Sequence, residues 1–435
     1  MMRPSSNRSM MIDDTMQSPK LSWNTHSIVT RAALDSIKAP QINEEIPVVR
    51  LEDFLSCAHV ELRELARRHI ELLSRKNSQT LTSHPIPSRI LTVEDFLVAF
   101  RLNPCRPIFY VKVLRPEKVP WDSPHDACRS GPPGGTYIPN VEAERIIALE
   151  ILVTFSDEPD WGMDQDLFDI EDYEYGQPPF GDRTGKSSQA PFHMAFLQDN
   201  LLLLKILPRL RKSFMKERIS IFLALAGLAL QKEIYYWGWR FTAWAMHYLQ
   251  DLTQPYHAHP FPPSLLRIPG ILIMNRSRHG VVRGIGNYLK NRHILCEAAV
   301  HFLLNEAVKK RLDHPFLKAL SSPEGSLGGS LGALMKESAR IAGSLARRTD
   351  KTLVGLFNDP RINDGDYSVG DDFSYPLERS LEEAAQERPA LFNEFLEIIT
   401  MCLIQTGSVT RYAVDLALKR RTDPEVSSLM HTTSP

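Results

Sequence analysis

A chain of 435 residues with 43% hydrophobic content is long enough to form one large domain or two ordinary ones around a sizeable core. Lys and Arg (51) nearly balance Asp and Glu (52), and the formal net charge of -1 excludes a global field that would attract nucleic acid or an anionic membrane. The five cysteines are widely spaced and include no CxxC pair, which argues against a disulfide framework and against a thiolate zinc site.

The first 22 residues contain no apolar stretch of the roughly 7 to 15 residues that a secretory signal needs. They also include Asp13 and Asp14, so we expect residues 1–22 to form a disordered leader. The most apolar run, residues 219–230, falls short of the roughly 20 residues that span a bilayer. It predicts a buried helix rather than a membrane span.

Apolar residues at helical spacing predict four helices in the first part of the chain, over residues 23–37, 51–74, 92–102 and 141–154. Prolines interrupt most of the stretch between the second and the fourth of them. The acidic, turn-rich residues 156–189 show no periodicity and predict a long loop, a feature that is often functional. We expect the acidic stretch from Asp157 to Asp172 to be a solvated loop.

The second part of the chain predicts helices over residues 194–212, 216–232, 234–252 and 287–309, and another that ends near residue 356. Two helices separated by Pro389 follow, or three if Gly407 interrupts the second. With few alternating strand patterns and no repeat, the sequence predicts an all-α fold. We expect a single helical domain over residues 23–420, with an insertion at about 60–140, a C-terminal helical extension at about 310–420 and a polar tail at 421–435.

Two clusters of histidine and carboxylate carry the chemistry. In HYLQDLTQPYH, His247 and Asp251 lie one helical turn apart. Pro255 ends the helix, and the turn that follows can bring His257 close to these two side chains. A second helix carries His293 and Glu297 at the same spacing. Any single pair is more often only hydrogen-bonded, but burying five ionisable groups together is costly without a metal ion. Together the clusters favour a metal site, with zinc as the first candidate.

The string HYLQDLTQPYHA followed by HILCE resembles the zinc-dependent phospholipase C family and its relatives, the zinc-dependent single-strand-specific nucleases. Three further strings match in the same order: WNTHSIVTRAAL contains Trp23 and His26, EPDW contains Asp160, and APFH contains His193. The matched positions extend from Trp23 to Glu297, about two-thirds of the chain. The combined order and spacing are specific, whereas HxxxE alone is not.

The resemblance implies an all-helical domain that binds three zinc ions in a cleft. The first zinc would be held by Asp160, His193, His247 and Asp251. The second would be held by His257, His293 and Glu297. Asp251 would bridge to the third, bound by His26 and by the backbone of Trp23, whose free amine is a ligand in the family. Asp160 would also orient or deprotonate the attacking water.

The chain departs from the family pattern at four places, and one of them is that Trp23 lies closer to His26 than the family's tryptophan lies to its histidine. Gln250 stands where the family usually has Gly, and the stretch between His26 and Asp160 is much longer than in the family. Since 22 residues precede Trp23, its amine is free only if the chain is cleaved just before it. The sequence therefore predicts two zinc sites, with a third that depends on this cleavage.

Hydrolysis of a phosphate ester is the expected reaction, because clustered zinc ions neutralise the phosphate, activate water and stabilise the leaving oxygen. PYHA and Glu297 are closer to the phospholipases, since the nucleases tend to carry Asp in place of Glu297. We expect a phospholipase C that acts on a phospholipid head group or another phosphodiester, with peripheral membrane contact and without a nucleic-acid partner. The alternatives are a single-strand nuclease or nucleotidase, and a non-catalytic interaction protein stabilised by zinc. The family typically works outside the cytoplasm, and no signal is visible here, so the location stays open.

Overall fold

The structure, a computed structural model, describes residues 25–79 without 36 and 38, then 93, 96–97, 100, 110–113, 137–139, 144–161, 163, 193–197, 204–205, 213–259, 278–310, 314–323, 329–369 and 375–422. Within these ranges the chain forms twelve α-helices and four strands of three residues each, which confirms the predicted all-α fold. No helix in the described ranges combines the length and apolar character needed to cross a bilayer.

The helices are α1 (Thr25–Leu34), α2 (Leu51–Cys57), α3 (His59–Gln79), α4 (Ala148–Phe155), α5 (Met215–Gln231), α6 (Tyr235–Asp251), α7 (Pro255–Ala258), α8 (Arg278–Lys310), α9 (Pro315–Ser321), α10 (Leu331–Phe357), α11 (Leu377–Glu387) and α12 (Pro389–Thr422). The strands form two antiparallel ribbons. In one, β1 (Glu45–Pro47) pairs with β4 (Arg145–Ile147), and in the other, β2 (Val111–Val113) pairs with β3 (Tyr137–Pro139).

Two predicted helix boundaries are wrong because backbone pairing overrides local periodicity. Residues 145–147 form β4, so the helix expected from residue 141 begins only at Ala148. Ile146 points into the core while its neighbours are exposed, the alternation of a strand. Residues 193–197 form a turn rather than the start of a helix, because the backbone N–H groups of Ala195 and Leu197 donate to the carbonyls of His257 and Ala258.

Other predicted helices agree more closely with the structure. The helix expected over residues 51–74 is divided into α2 and α3 at Ala58, and α8 begins well before the predicted residue 287. α12 continues through Gly407, so the alternative with a third helix after this glycine is wrong. The leader, Trp23, residues 423–435 of the tail and most of residues 92–102 and 156–189 lie outside the described residues, and α12 extends to Thr422.

Helix α6 lies at the centre of the fold. Its residues from Tyr236 to Asp251 are all buried, and α5 packs along it with the apolar segment that the sequence predicted to be buried. One hydrophobic core surrounds α5 and α6, with Phe222 and Trp237 among its members. A second core lies among α8, α9, α10 and α12. Because α6 has no exposed face, its polar residues must find partners inside the protein.

Candidate metal centre

Helix α6 places His247 and Asp251 one turn apart, as their spacing predicts. His247 is fully buried, and its Nδ1 lies 2.7 Å from the carbonyl oxygen of Ser156. Because a carbonyl only accepts, Nδ1 carries the hydrogen and Nε2 presents a lone pair to the site. Burial, together with the nearby His26, lowers the pKa of His247 well below its usual value. The imidazole therefore stays neutral, the form that binds a cation.

The first group consists of Asp160, His193 and His247, with Asp251 beside them. Nδ1 of His193 lies 3.0 Å from Nε2 of His247 and 2.9 Å from Oδ2 of Asp251. Oδ1 of Asp160 lies 3.8 and 3.6 Å from the two histidine nitrogens, and Oδ2 of Asp251 lies 3.4 Å from Nε2 of His247. A tetrahedral zinc with ligands at about 2.1 Å separates its ligand atoms by about 3.4 Å. The four side chains therefore have the spacing that such a cation requires.

The turn Glu158–Trp161 brings Asp160 into this group, and the expectation that its acidic residues are solvated is wrong. Glu158 is buried and accepts hydrogen bonds from Nε of Arg240 at 2.8 Å, from Nη2 of the same guanidinium and from Nε1 of Trp244 at 2.5 Å. Since Arg240 is itself fully buried on α6, either partner alone would leave an uncompensated charge in the core. The pair fixes the turn against α6 and thereby fixes Asp160.

Asp157 ties the same segment to α1. Its Oδ1 accepts a hydrogen bond from the backbone N–H of Ser27 at 3.2 Å, and its Oδ2 accepts one from the Ser27 hydroxyl. Ser27 lies in the first turn of α1, where backbone N–H groups have no partner within the helix and favour a carboxylate. Burial raises the pKa of Asp157 to about 7. The contact holds the start of α1, and with it His26, beside the turn that carries Asp160.

The second group joins His257 of α7 to His293 and Glu297 of α8. Nε2 of His257 lies 2.6 Å from Oε1 of Glu297 and 2.7 Å from Nε2 of His293, which is 2.9 Å from the same carboxylate oxygen. The side chain of Gln254 caps α7 by accepting from the backbone N–H of His257 at 3.1 Å, and its Nε2 donates to Glu297 at 3.1 Å. This glutamine, which the sequence did not single out, therefore sets the position of two candidate ligands.

Asp251 is the residue at which all the groups meet. Its Oδ2 faces the first group, and its Oδ1 lies 3.2 Å from Nδ1 of His257 and 3.5 Å from Nε2 of His26. His26 also lies 3.9 Å from Oδ2 of Asp160. With His247, His26 and Asp251 form a third group that could hold a metal ion. Trp23, the other predicted ligand of this position, lies outside the described residues.

A recess opens beside the groups. Its polar side includes His26, Asp160, Asp251, His257 and Glu297. Its apolar lining comes mainly from α8 and α12: Val29, Pro255, Cys296, Val300, Ile399, Cys402 and Leu403. The α12 part of this lining lies beyond the sequence that carries the family resemblance. A molecule that reaches the candidate metal positions would contact both surfaces.

The structure brings together every predicted side-chain ligand that it describes: His26, Asp160, His193, His247, Asp251, His257, His293 and Glu297. In each of the three groups the ligand atoms lie within 4.8 Å of one another. Neutral imidazoles and carboxylates are donors that divalent cations accept, so this part of the chain could hold metal ions. No protein-family model matches the chain, and comparison with curated proteins and with solved structures gives no significant match either.

Proposed function

We propose that the protein is a zinc-dependent phosphoric ester hydrolase of the phospholipase C type. One observation carries the proposal: eight candidate ligands from distant parts of the chain converge on adjacent positions around Asp251, and five of them line one recess. The second group offers three ligands, and catalytic zinc sites characteristically have three protein ligands and an open position. This feature supports an enzyme over the alternative of a non-catalytic protein stabilised by zinc.

Zinc ions bound at these positions would neutralise a phosphodiester and lower the pKa of a water molecule to about 7. Asp160 is the residue that we propose as the proton acceptor. Burial raises the pKa of Asp160 to about 6, against the opposing effect of nearby His193 and His26, so the carboxylate is ionised at neutral pH. Asp160 lies 3.9 Å from Nε2 of His26 and lines the recess, where a substrate phosphate can approach.

The recess supports a lipid rather than a nucleotide as substrate. Among the described residues that line it, none is Phe, Tyr or Trp, the side chains on which a base would stack. In the same set there is also no Lys or Arg to bind further phosphates of a nucleic-acid strand. The aliphatic wall of Val300, Ile399 and Leu403 instead fits the apolar part of a phospholipid beside its phosphate.

Protein loaded with zinc should hydrolyse phosphatidylcholine in mixed micelles and a soluble chromogenic phosphocholine ester, and it should leave single-stranded DNA intact. The variant Asp160→Asn should lose at least about a hundredfold in kcat, because the amide cannot accept the proton. Activity and bound zinc are measured on the same samples across about pH 5 to 9.

Each outcome of this assay is decisive. Cleavage of DNA without cleavage of either phosphocholine compound would establish the nuclease alternative instead. Protein that binds zinc and hydrolyses none of the three substrates would support the non-catalytic alternative and refute the proposed function. Full activity in Asp160→Asn would leave hydrolysis in place but remove Asp160 from the role of base.

A further inference from the structure

Gln250 lies on α6 directly before Asp251, at the position where the family that the chain resembles usually has Gly. Its side chain is buried, and its Oε1 lies 2.8 Å from Nδ1 of His26. Its Nε2 donates to Oγ1 of Thr30 at 2.9 Å and to Oγ1 of Thr410 at 2.9 Å. The residue thus links α6 to α1 and to α12 in the middle of the candidate metal positions.

The hydrogen-bond network fixes which way the amide of Gln250 faces. Thr410 gives its single hydroxyl hydrogen to the carbonyl oxygen of Thr406, at 2.7 Å, so its Oγ1 accepts from Gln250. A flipped amide would place Oε1 against that hydroxyl oxygen, two acceptors without a hydrogen between them. It would also place the NH₂ group against Nδ1 of His26. The Nε2 end therefore faces the threonines and the Oε1 end faces His26.

This orientation determines the tautomer of His26. Since Oε1 of Gln250 only accepts, Nδ1 of His26 carries the ring hydrogen. In the neutral ring Nε2 is then the nitrogen with the lone pair, and it faces Oδ1 of Asp251 at 3.5 Å and Oδ2 of Asp160 at 3.9 Å. A hydrogen-bond acceptor on the far nitrogen is the usual device by which proteins orient a metal-binding histidine. His247 has the same device in the carbonyl of Ser156.

We propose that Gln250 is a positioning residue that holds His26 as an Nε2 ligand for a divalent cation between His26 and Asp251. Thr410 extends the support to α12, so the C-terminal helix takes part in forming this position. Nothing in the arrangement requires the amine of Trp23. The inference rests on the metal-binding part of the proposed function and not on hydrolysis, so its test measures the ligand itself.

The test follows the histidine ring nitrogens of ¹⁵N-labelled protein by NMR during a zinc titration, with the His26 signals assigned by their loss in His26→Asn. We expect wild-type His26 to be in the Nδ1–H tautomer and its Nε2 signal to shift on zinc binding. Gln250→Met has a similar volume but offers neither acceptor nor donor. It should mix the His26 tautomers and raise the zinc midpoint of His26 by about 10- to 100-fold, with the midpoint of His293 unchanged.

A further variant separates positioning from general stability. Gln231→Met removes a half-buried hydrogen bond, to the carbonyl of Arg420 on α12, and should change neither midpoint. A wild-type His26 that carries hydrogen on Nε2, or that does not respond to zinc, would overturn the inference. Equal midpoint shifts of His26 and His293 in Gln250→Met would overturn it as well. If the predicted shifts occur in protein that hydrolyses no ester, the inference stands and the proposed function fails.

Discussion

Four histidine rings share the two oxygens of Asp251, which makes this carboxylate the electrostatic centre of the molecule. Burial opposes its charged form, but His257 and the hydrogen bond from His193 outweigh burial and lower the pKa of Asp251 well below its usual value. For His257, burial is outweighed by Asp251 and Glu297, which raise its pKa well above the usual value. Without a bound cation, the protein therefore balances its buried carboxylates with the positive charge of protonated imidazole. A bound cation would replace the protons that carry this charge.

His301, one turn beyond Glu297, differs from His257 in that its pKa is lowered and not raised. It is buried, its Nε2 accepts a hydrogen bond from Nδ2 of Asn305 at 2.8 Å, and burial lowers its pKa to about 4. A histidine of the unfolded chain titrates near 6.5, so protonation favours unfolding once the pH falls below that value. The contribution of neutral His301 to the free energy of unfolding is complete above about pH 6.5. It falls by about 2 to 3 kcal/mol as the pH falls towards 4.

The variant His301→Gln, which has no titrating group, should therefore lose less stability than the wild type between pH 7 and pH 4.5. Urea unfolding of both proteins at the two pH values measures the difference, since other titrating groups contribute equally to both. If the free energy of unfolding of wild type and variant changes equally with pH, the assignment of His301 as a buried neutral residue is contradicted.

At the scale of elements, α12 contributes both to the apolar wall of the recess and to the support of Gln250. Gly407 allows α12 to approach α9, because a Cβ atom there would lie 2.0 Å from the carbonyl oxygen of Leu320. Arg411, one turn later, donates to the same carbonyl at 2.5 Å. Glycine is therefore required at this position for a close approach between two elements and not to end a helix.

Gly407→Ala should destabilise the protein by about 1 to 3 kcal/mol, because backbone atoms of α9 must move away from the new methyl group. Gly286→Ala on α8 is the matched control. A Cβ atom there meets nothing within 4 Å, so the better helix propensity of Ala should stabilise the protein by up to about 1 kcal/mol. Chemical unfolding of the two variants gives both values. Equal effects of the two substitutions would show that α12 and α9 are not in close contact at Gly407.

The elements predicted well from sequence are those whose signal is local. α5 and α6 are continuous periodic segments, and the i to i+4 spacing placed His247 with Asp251 and His293 with Glu297 on common helix faces. The elements predicted poorly depend on partners distant in the chain. β4 exists because β1 pairs with it, and the turn at residues 158–161 is held by Arg240, about eighty residues later. Gln250 was noted only as a departure from the family, because its partners lie on two other helices.

On the scale of the whole molecule, the candidate metal positions join two hydrophobic cores. His247 and Asp251 extend from the helix at the centre of the first core, whereas His293 and Glu297 belong to α8 in the second. His257 lies between them on α7 and contacts both carboxylates. Cations held here would therefore stabilise the contact between the two cores.

Zinc should accordingly raise the thermal unfolding temperature of the whole chain. A cation that binds only the folded protein contributes about 4 kcal/mol per site when its free concentration is about a thousand times Kd. For a protein of this size we expect a rise of at least several degrees in zinc and a corresponding fall in a chelator. His293→Ala, which removes one ligand of the second group, should retain only part of this rise. His59→Ala removes an exposed histidine on α3 and should retain the whole rise in unfolding temperature. If zinc raises the unfolding temperature of the two variants equally, His293 is excluded from the metal centre.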